Sequence, residues 1–381
     1  MDNSFSSPGE PPLTPPPVIT PPPSARPRKS RGWMIVAIIL MPLLAFSLFG
    51  NFTQFVSHAF GGGFNRGFKN SAARDVGPKL EECILENNDS HNKIAVVTVD
   101  GIITGHTADQ SGNNMVDVIK AQLDNAANDD RVKAVILKVD SPGGEVMASD
   151  QINKLISKFE NGADGKPVIC SMGSLAASGG YYISAPCRWI EANDLTLTAS
   201  IGVIMETVNY RGLMDKIGVE PYVFKSGKYK DMLSGMRETN EIPAGEHAMV
   251  QSLIDDTYKK FKGVVRDGRN AAHQKNGGEG KALAPDWENY ADGRVVSGEQ
   301  ALQLGLVDGL GDFDDAVSRA EKIAHIHNAN LVEYRERYDI SDFLSMFGQS
   351  SKSHDIKLDL GVDMPKLQAG ALYFLWQMPG N

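Results

Sequence analysis

Residues 132–184 read VKAVILKVDSPGGEVMASDQINKLISKFENGADGKPVICSMGSLAASGGYYIS. The stretch opens with the apolar run VKAVILKV, which predicts a buried strand, and the later run PVICSM predicts another. Between them, Ile152, Leu155 and Ile156 have the spacing of one helix face. Two strands joined by such a helix pair in parallel through a right-handed crossover. The stretch therefore predicts an α/β protein built on a parallel sheet.

The flanking segments continue this pattern in both directions. KIAVVTV, from Lys93, predicts a preceding strand, and the helical spacing over Asn114 to Ala127 connects it to the quoted stretch. Further along, Ala244 to Arg269 has the pattern of a long amphipathic helix. SGEQALQLGLVDGLG predicts a short helix capped by Ser297 and then a short strand. The order β-α-β-α-β indicates repeated βαβ units.

The composition argues against several classes of function. A chain of 381 residues has room for one large domain or two modest ones, and 41% hydrophobic with 22% charged residues is ordinary for a globular protein. A formal charge of -9 argues against nucleic acid as a partner, because phosphate binding needs clustered cations. Three cysteines are too few for a disulfide framework or a zinc site, and the histidines show no ligand spacing. We therefore predict no metal and no cofactor.

Three regions are predicted before the folded domain. Residues 1–31 are rich in Pro, Ser and Thr and predict a disordered cytoplasmic tail, with a Pro-rich ligand as the alternative. Residues 32–50 include the uncharged run WMIVAIILMPLLAFSLF, long enough to cross ~30 Å of hydrocarbon. Basic residues directly before this run keep the N-terminus in the cytoplasm, and a cleaved signal peptide is the alternative. Residues 51–92 predict a stalk.

The folded domain is predicted over residues 93–325, followed by a C-terminal extension over 326–381. The extension is weakly patterned except for the apolar run ALYFLWQM near its end. That run is interpreted as a packed terminal segment, an interface or a membrane-surface contact.

One serine is a candidate nucleophile. SMGSLAASGGYYIS, residues 171–184, follows a buried strand and opens a helix, which places Ser178 on a strand-to-helix turn. The first amides and the dipole of a helix stabilise a developing oxyanion at such a turn. Small neighbours such as Gly179 let a substrate backbone approach closely. Tight packing of a helix on a sheet explains the same composition without any chemistry.

A pair of glycines after the preceding strand is a candidate oxyanion hole. DSPGG, residues 140–144, places consecutive backbone N–H groups at the end of that strand. The amide of Gly143 or Gly144, together with that of Gly179, could bind the oxyanion of a tetrahedral intermediate. A plain turn explains Pro-Gly-Gly equally well.

The serine also needs a base, and no histidine lies in a motif that suggests a Ser-His-Asp triad. The segment FKSGKYKDMLS offers three lysines instead, Lys225, Lys228 and Lys230. A lysine accepts a serine proton only where burial or neighbouring positive charge lowers its pKa. Each of the three is also explained as a solvated surface residue, and the residues alone do not choose among them.

Together these segments resemble the signal peptide peptidase A (SppA) family of Ser/Lys proteases, which shares the ClpP/crotonase fold. The resemblance covers roughly residues 93–325. It is carried, in the family's order, by DSPGGE, SMGSLAASGGYYIS, LTLTASIGVIMETVNY, KSGKYKDMLS and YADGRVVSGEQALQLGLVDGLG. Five ordered motifs are far more specific than one Gly-rich loop.

The resemblance implies a role for each candidate residue. Ser178, in A-A-S-G-G, takes the position of the nucleophile, and Lys230, in K-S-G-x-x-K-D, takes that of the general base. Ser200, in LTASIGV, corresponds to a serine that orients the lysine amine. The family's oxyanion donors fall on Gly143, Gly144 and Gly179. Lys228 falls on a variable position.

The resemblance also implies an assembly, a substrate and a location. One copy of the motifs corresponds to the family's short form, which forms a homo-oligomeric ring of about eight subunits with serine and lysine meeting across subunit boundaries. The expected activity is endopeptidase cleavage of signal peptides left after preprotein processing. The expected location is a bacterial cytoplasmic membrane, single-pass, with the N-terminus cytoplasmic and the catalytic domain extracytoplasmic.

Two other classes of protein remain as alternatives. A crotonase-like acyl-CoA enzyme shares the fold and a backbone oxyanion hole but needs neither an anchor nor a Ser/Lys pair. A non-catalytic membrane scaffold would keep the fold without the chemistry. Reaction of Ser178 with a fluorophosphonate probe separates a serine peptidase from both.

Overall fold

The computed structural model describes residues 40, 41, 44, 77–106, 113–337 and 372–375. The predicted tail over 1–31 lies outside the described residues, as does the predicted anchor over 32–50 apart from three positions. Part of the predicted stalk and most of the predicted C-terminal extension also lie outside them. Among the described residues, none of the helices combines the length and the apolar character needed to span a membrane.

The described strands alternate with helices along the chain. The strands are β1 Leu80–Glu86, β2 Lys93–Asp100, β3 Val132–Ser141, β4 Gly143–Glu145, β5 Val168–Ala177, β6 Trp189–Ala192, β7 Leu197–Ala199, β8 Val295–Ser297, β9 Gly309–Leu310, β10 Asn330–Glu336 and β11 Tyr373–Leu375. The helices are α1 Met115–Asn128, α2 Val146–Asn161, α3 Gly179–Ser184, α4 Arg211–Ile217, α5 Glu246–Lys275, α6 Gly298–Gln303 and α7 Phe313–Ile323.

A nine-stranded, mostly parallel sheet forms the centre of the fold, with strand order β1-β10-β2-β3-β5-β6-β9. Strand β5 pairs with β6 along its first half and with β7 along its second half, both in parallel. The antiparallel pairs in this sheet are β1 with β10 and β7 with β8. Strand β11 pairs with β4 in a separate two-stranded sheet. This mixed α/β architecture fits the ClpP/crotonase fold that the sequence resemblance implies.

Helices cover both faces of the main sheet. Alternate residues of a strand point to opposite faces, so Ile136 and Leu137 belong to different apolar clusters. Helices α1 and α2 pack on the Leu137 side through side chains such as Leu123 and Ile152. Helix α7 packs on the Ile136 side through Ala320 and its neighbours. Strands covered on both faces explain the continuous apolar runs in the sequence.

The predicted helices are confirmed, with small shifts at their ends. The predicted helix Asn114 to Ala127 is α1, and the Asn114 side chain caps it by accepting a hydrogen bond from the Asp117 backbone at 3.0 Å. The long amphipathic helix predicted over Ala244 to Arg269 is α5, which begins and ends later. Ser297 caps α6 and forms a capping box with Gln300.

The sheet extends beyond the predicted domain of 93–325 on both sides. Strand β1 comes from the segment predicted as a stalk over 51–92, and β10 comes from the predicted extension. The two strands pair with each other, and β10 also pairs in parallel with β2. Strand β1 is an edge strand with mostly exposed residues, so backbone hydrogen bonds hold it in place and its sequence lacks an apolar run.

Candidate active site

Ser178 lies on a strained turn between β5 and α3. Its φ of 54° and ψ of -114° are outside the regions that residues with a Cβ normally adopt. The Ser178 amide donates to the Ala199 carbonyl at 2.7 Å, and the Ser178 carbonyl accepts from the Tyr182 amide at 2.8 Å. The residue is only 2% exposed. Main-chain bonds on both sides therefore hold the strained turn and fix the position of its side chain.

Ser200 follows the strand next to that of Ser178. Ala177 and Ala199 are register partners at the ends of β5 and β7, so the two serines continue from paired strands about 4.8 Å apart. Ser200 also has a left-handed φ, at 50°. Its hydroxyl donates to the Gly293 carbonyl at 3.2 Å, and its amide donates to the Arg294 carbonyl at 2.9 Å. The structure thus brings Ser178 and Ser200 to the same edge of the sheet.

The glycines predicted to form the oxyanion hole pack backbone to backbone. Gly143 has a φ of +100°, and a Cβ placed there would lie 2.6 Å from the Gly179 nitrogen. A Cβ at Gly179 would lie 3.1 Å from the Gly144 nitrogen and 2.7 Å from the Ser149 hydroxyl. Only glycine fits these two positions, because a side chain would separate the SPGG turn from the start of α3. The structure therefore brings the three predicted glycines together.

The amides of these glycines are engaged differently. The Gly143 N–H donates to the Ser141 hydroxyl at 3.1 Å, within its own turn. Gly179 is the first residue of α3, where an amide has no acceptor inside its own helix. The Gly179 N–H is therefore the amide best placed to receive a ligand oxygen beside Ser178.

Lys230 is exposed and, among the described residues, is not hydrogen-bonded to this cluster. It belongs to the segment between β7 and α5, within a run of turns, and its side chain is exposed. Among the described residues its amine has no hydrogen-bond or ion-pair partner, and no bond joins it to Ser178 or Ser200. Lys225 instead bonds the Asp231 carboxylate at 2.8 Å, and the amine of Lys228 lies 5.1 Å from the centre of the Tyr229 ring. A single chain therefore assembles the serine side of the predicted site without its base.

The described C-terminal strand lies against the SPGG turn. In β11, Tyr373, Phe374 and Leu375 run antiparallel to β4, opposite Glu145, Gly144 and Gly143 in turn. On its other side, Tyr373 exchanges two 3.1 Å hydrogen bonds with the backbone of Ile204. A Cβ at Gly143 would lie 2.0 Å from the Phe374 carbonyl oxygen. This extended peptide segment thus passes directly beside the candidate oxyanion hole.

The Phe374 side chain fills an aromatic pocket next to the serine turn. Its ring centre lies 4.8 Å from that of Tyr182 and 4.7 Å from that of Phe261, and the residue is fully buried. The Tyr182 hydroxyl donates to Asp150 at 2.8 Å. Burial, and to a smaller extent this hydrogen bond, raises the pKa of Tyr182. The apolar run ALYFLWQM is evident in the sequence, but its place in the fold is not. Nothing in the local pattern indicates the partner of a three-residue strand.

Other reactive groups lie in the core away from this edge. Cys170 and Cys187 are buried, and the Cys170 thiol donates to the Ser184 hydroxyl at 3.2 Å. Burial raises the pKa of Cys187. The parts of the chain that the structure describes contain no group of three or more His, Cys, Asp or Glu arranged to hold a metal ion.

Comparison with known proteins gives a consistent set of relatives. The profile of Peptidase family S49 matches residues 160–327. The chain is 39% identical over 216 residues to "Putative protease MJ0651" of Methanocaldococcus jannaschii, covering 56% of this chain and 63% of that protein. It is 35% identical over 274 residues to "Putative signal peptide peptidase SppA" of Enterococcus faecium, covering 70% of this chain and 73% of that one. It is 38% identical over 235 residues to "Putative protease slr0021" of Synechocystis, with 62% and 76% covered.

Proposed function

The chain belongs to peptidase family S49, the SppA family, and on that premise we propose that it is a membrane-anchored endopeptidase that degrades remnant signal peptides. Membership makes the chain a serine peptidase, as the sequence predicts. In the proposal Ser178 is the nucleophile, Lys230 is the general base and Ser200 orients the lysine amine. The backbone of Gly179 and of the SPGG turn binds the oxyanion.

The turn at Ser178 is the observation that carries the proposal. A buried serine with a strained backbone, followed at once by a helix N-terminus and packed against two glycines, has the arrangement that acyl transfer needs. The Ser178 hydroxyl attacks the carbonyl carbon of the scissile bond, and the neutral amine of Lys230 takes its proton. The lysine then protonates the leaving amine, which departs from an acyl-enzyme. Water, activated by the same amine, releases the acid and regenerates Ser178.

The proposal requires a neighbouring copy to supply Lys230. An amine accepts a proton only when neutral, and burial disfavours the charged form. Lys230 is exposed in the single chain, so contact with another subunit is the natural way to remove it from water. The segment that carries it supports this arrangement, because many large apolar side chains there are uncovered. They are Val208, Leu213, Ile217, Tyr222, Val223 and Phe224, the last 96% exposed.

Helix α5 adds a geometric reason. The helix is 30 residues long, and after Glu246 in its first turn the next buried residue is Phe261. At 1.5 Å per residue, about 22 Å of helix separates the two positions. The lysine-bearing segment is thus attached to the end of α5 that, apart from Glu246, is not buried in its own chain. Such a position leaves the segment free to contact another copy. A closed homo-oligomeric ring of about eight subunits, as in the family's short form, provides such a neighbour at every subunit.

Strand β11 supports an extended, apolar peptide as the substrate. It adds to β4 through main-chain pairing and places one large apolar side chain in the Tyr182/Phe261 pocket. Addition of a peptide strand to an exposed strand is a general mode of peptide recognition, in which the pocket selects side chains. A signal peptide, which is rich in large apolar residues, suits such a groove.

The location in the proposal depends on the N-terminal sequence. The uncharged run that begins at Trp33 follows Arg26, Arg28, Lys29 and Arg31, which favours a single-pass anchor with the N-terminus in the cytoplasm. The catalytic domain then lies outside a bacterial cytoplasmic membrane. Protease accessibility of the domain in intact spheroplasts tests this orientation, and protection of the domain from added protease would contradict it.

A fluorophosphonate probe tests the catalytic pair. We expect the assembled protein to be labelled at Ser178, Ser178→Ala to be unlabelled, and Lys230→Ala to be labelled at least about a hundredfold more slowly, because the base is gone. Lys228→Ala is the matched control and should be labelled at the wild-type rate. Equal labelling of Ser178→Ala and wild type would show that another residue is the nucleophile.

Mixing two inactive variants tests the site between subunits. In assemblies reconstituted from equal amounts of Ser178→Ala and Lys230→Ala, about a quarter of the interfaces join an intact serine to an intact lysine. Peptidase activity toward a synthetic signal peptide should therefore return to about that fraction of the wild-type rate. A mixture as inactive as its components would place both residues of each site in one subunit.

A further inference from the structure

The segment between Ile201 and Phe261 has almost no buried residues, although it carries Lys230. Arg237, 5% exposed, and Glu246, 3% exposed, are the two residues of this segment that the structure buries. Its apolar side chains are half-buried or exposed, and helix α4 has no buried residue. The buried part of this segment is therefore the ion pair between Arg237 and Glu246, whereas most folded segments bury apolar side chains.

Arg237 and Glu246 join the turn that follows Lys230 to the start of α5. Glu246 stands in the first turn of α5, and its Oε1 accepts from the Arg237 guanidinium. The same oxygen accepts from the Leu233 amide at 2.9 Å, and Leu233 has a left-handed φ of 65°. One buried carboxylate therefore holds a strained turn three residues after Lys230 and connects it to the long helix.

A second contact reaches the residue next to the lysine. The Arg237 Nη1 lies 3.6 Å from Oδ1 of Asp231, which directly follows Lys230 and also bonds Lys225. Arg237 Nε and Nη1 and Glu246 Oε2 have no hydrogen-bond partner within the described residues. A small inward movement of Asp231 would therefore convert the longer contact into a hydrogen bond. The Arg237 guanidinium can therefore restrain the backbone next to Lys230 through Asp231.

We propose that Arg237 and Glu246 are positioning residues that set the place of Lys230 through Asp231 and Leu233. The proposal rests on Lys230 as the general base. Hydrogen bonds from Leu233 and Arg237 to Glu246 join the turn to α5, and a cavity of about 340 Å³ lies beside them. A buried ion pair is weak evidence for net stability, and we infer that this pair instead specifies the geometry of the turn. Lys230 held in this way is already in position to meet Ser178 when the two copies come together.

The test compares Glu246→Gln with Asp308→Asn, using the rate of Ser178 labelling by the fluorophosphonate probe as a function of pH. Asp308 forms a fully buried ion pair with Arg269, which lies towards the other end of α5 from Glu246. Asp308→Asn therefore also removes a buried carboxylate charge that pairs with an arginine. For Glu246→Gln we expect labelling at least tenfold slower at neutral pH. We also expect the acid limb of the profile, where protonation of the base lowers the rate, to lie at higher pH, because a misplaced Lys230 amine stays hydrated and protonated. For Asp308→Asn we expect lower thermal stability with the acid limb unmoved.

Arg237→Lys gives a second measurement if Glu246→Gln does not fold. Lysine keeps the charge but cannot reach Glu246 and Asp231 together, so the rate should fall severalfold with the same displacement of the acid limb. A wild-type rate and acid limb in Glu246→Gln, while Lys230→Ala is inactive, would overturn the positioning role alone. A wild-type rate in Lys230→Ala would overturn the proposed base and the positioning role together. Failure of both Glu246→Gln and Arg237→Lys to fold would make the pair a general stability element and would also overturn the proposal.

Discussion

The two halves of the proposed site are built in opposite ways. Ser178, Ser200 and the three glycines lie at one sheet edge, where main-chain hydrogen bonds and close glycine contacts fix them. The lysine-bearing segment is open, with exposed apolar side chains and one buried ion pair. A single chain brings the elements of the serine half together, whereas in the proposed assembly the lysine half is completed by a partner surface. In the proposed mechanism, the fold separates a preformed nucleophile from a base that becomes competent on assembly, so an isolated subunit would not cleave peptides.

The glycine contact gives the largest expected effect on the serine half. In Gly143→Ala the new Cβ would lie 2.0 Å from the Phe374 carbonyl oxygen and 2.6 Å from the Gly179 nitrogen, at a φ of +100°. We expect a loss of about 3 kcal/mol in the free energy of unfolding, and labelling of Ser178 more than a hundredfold slower, because the turn must move away from α3. Chemical denaturation and probe labelling measure the two effects.

Gly212→Ala is the control for that change. Gly212 lies in the exposed helix α4, and a Cβ there would meet nothing within 4 Å. Its free energy of unfolding should change by less than about 1 kcal/mol. A functional Gly143→Ala protein would show that the close packing of the glycines is not required.

The exposed surface of the lysine half gives the next effect. Phe224→Gln removes the most exposed of its large apolar side chains, so we expect weaker assembly and about tenfold slower labelling at low protein concentration. Sedimentation velocity and labelling over a dilution series measure both. Ile84→Gln, at an exposed position of edge strand β1, is the control and should leave the assembly unchanged. Unchanged assembly in Phe224→Gln would show that another surface joins the subunits.

Removal of residues 372–381 tests the groove between β4 and Ile204. The deletion removes Phe374 from the Tyr182/Phe261 pocket, so we expect a loss of about 3 kcal/mol in the free energy of unfolding. It also empties the groove, so labelling of Ser178 should become severalfold faster. Deletion of 376–381 alone keeps β11 and is the control. Slower labelling after the longer deletion would mean that β11 supports the serine turn and does not compete with substrate.

Acidification gives the smallest of the effects expected in the lysine half. The hydrogen bond from Arg237 holds the pKa of Glu246 below its ordinary value, although burial opposes this shift. Asp231, whose pKa is lowered by its bond to Lys225, is the other acid that faces Arg237. A lowered folded pKa means that the ion pair is fully present above about pH 4.3 and is lost as the pH falls through the folded value. Hydrogen exchange of residues 227–236, corrected for intrinsic rates, should increase on acidification in wild type but not in Glu246→Gln.

Much of the serine half could be predicted from sequence, because local chemistry determines it. Buried parallel strands require continuous apolar runs, and a strand-to-helix turn with Ser178 between small residues has a recognisable pattern. The SPGG motif predicted backbone N–H groups beside that of Gly179, and the structure brings Gly143 close to Gly179. The predicted membership in the SppA family is also confirmed by the relatives.

The lysine half and the outer strands resisted prediction for physical reasons. Three lysines lie within six residues, and a base on an exposed segment has no local pattern that distinguishes it from a solvated residue. Strand β1 is held by backbone pairing at a sheet edge, so its sequence need not be apolar. Strand β11 pairs with residues more than two hundred positions earlier, and no local signal specifies so distant a partner.

Strand β1 has a consequence for how substrates arrive. It runs antiparallel to β10, with Leu80 opposite Glu336. The chain therefore enters the sheet on the side where the parallel strands end, which is also the side of Ser178. Four strand spacings, about 19 Å, separate β1 from β5. In the proposed membrane-anchored protein, the chain before Leu80 would join the sheet at that distance from the serine and would raise the effective concentration of peptides near the anchor. In that arrangement the distance between the anchor and Leu80, as well as the pocket, would select which peptides are cut.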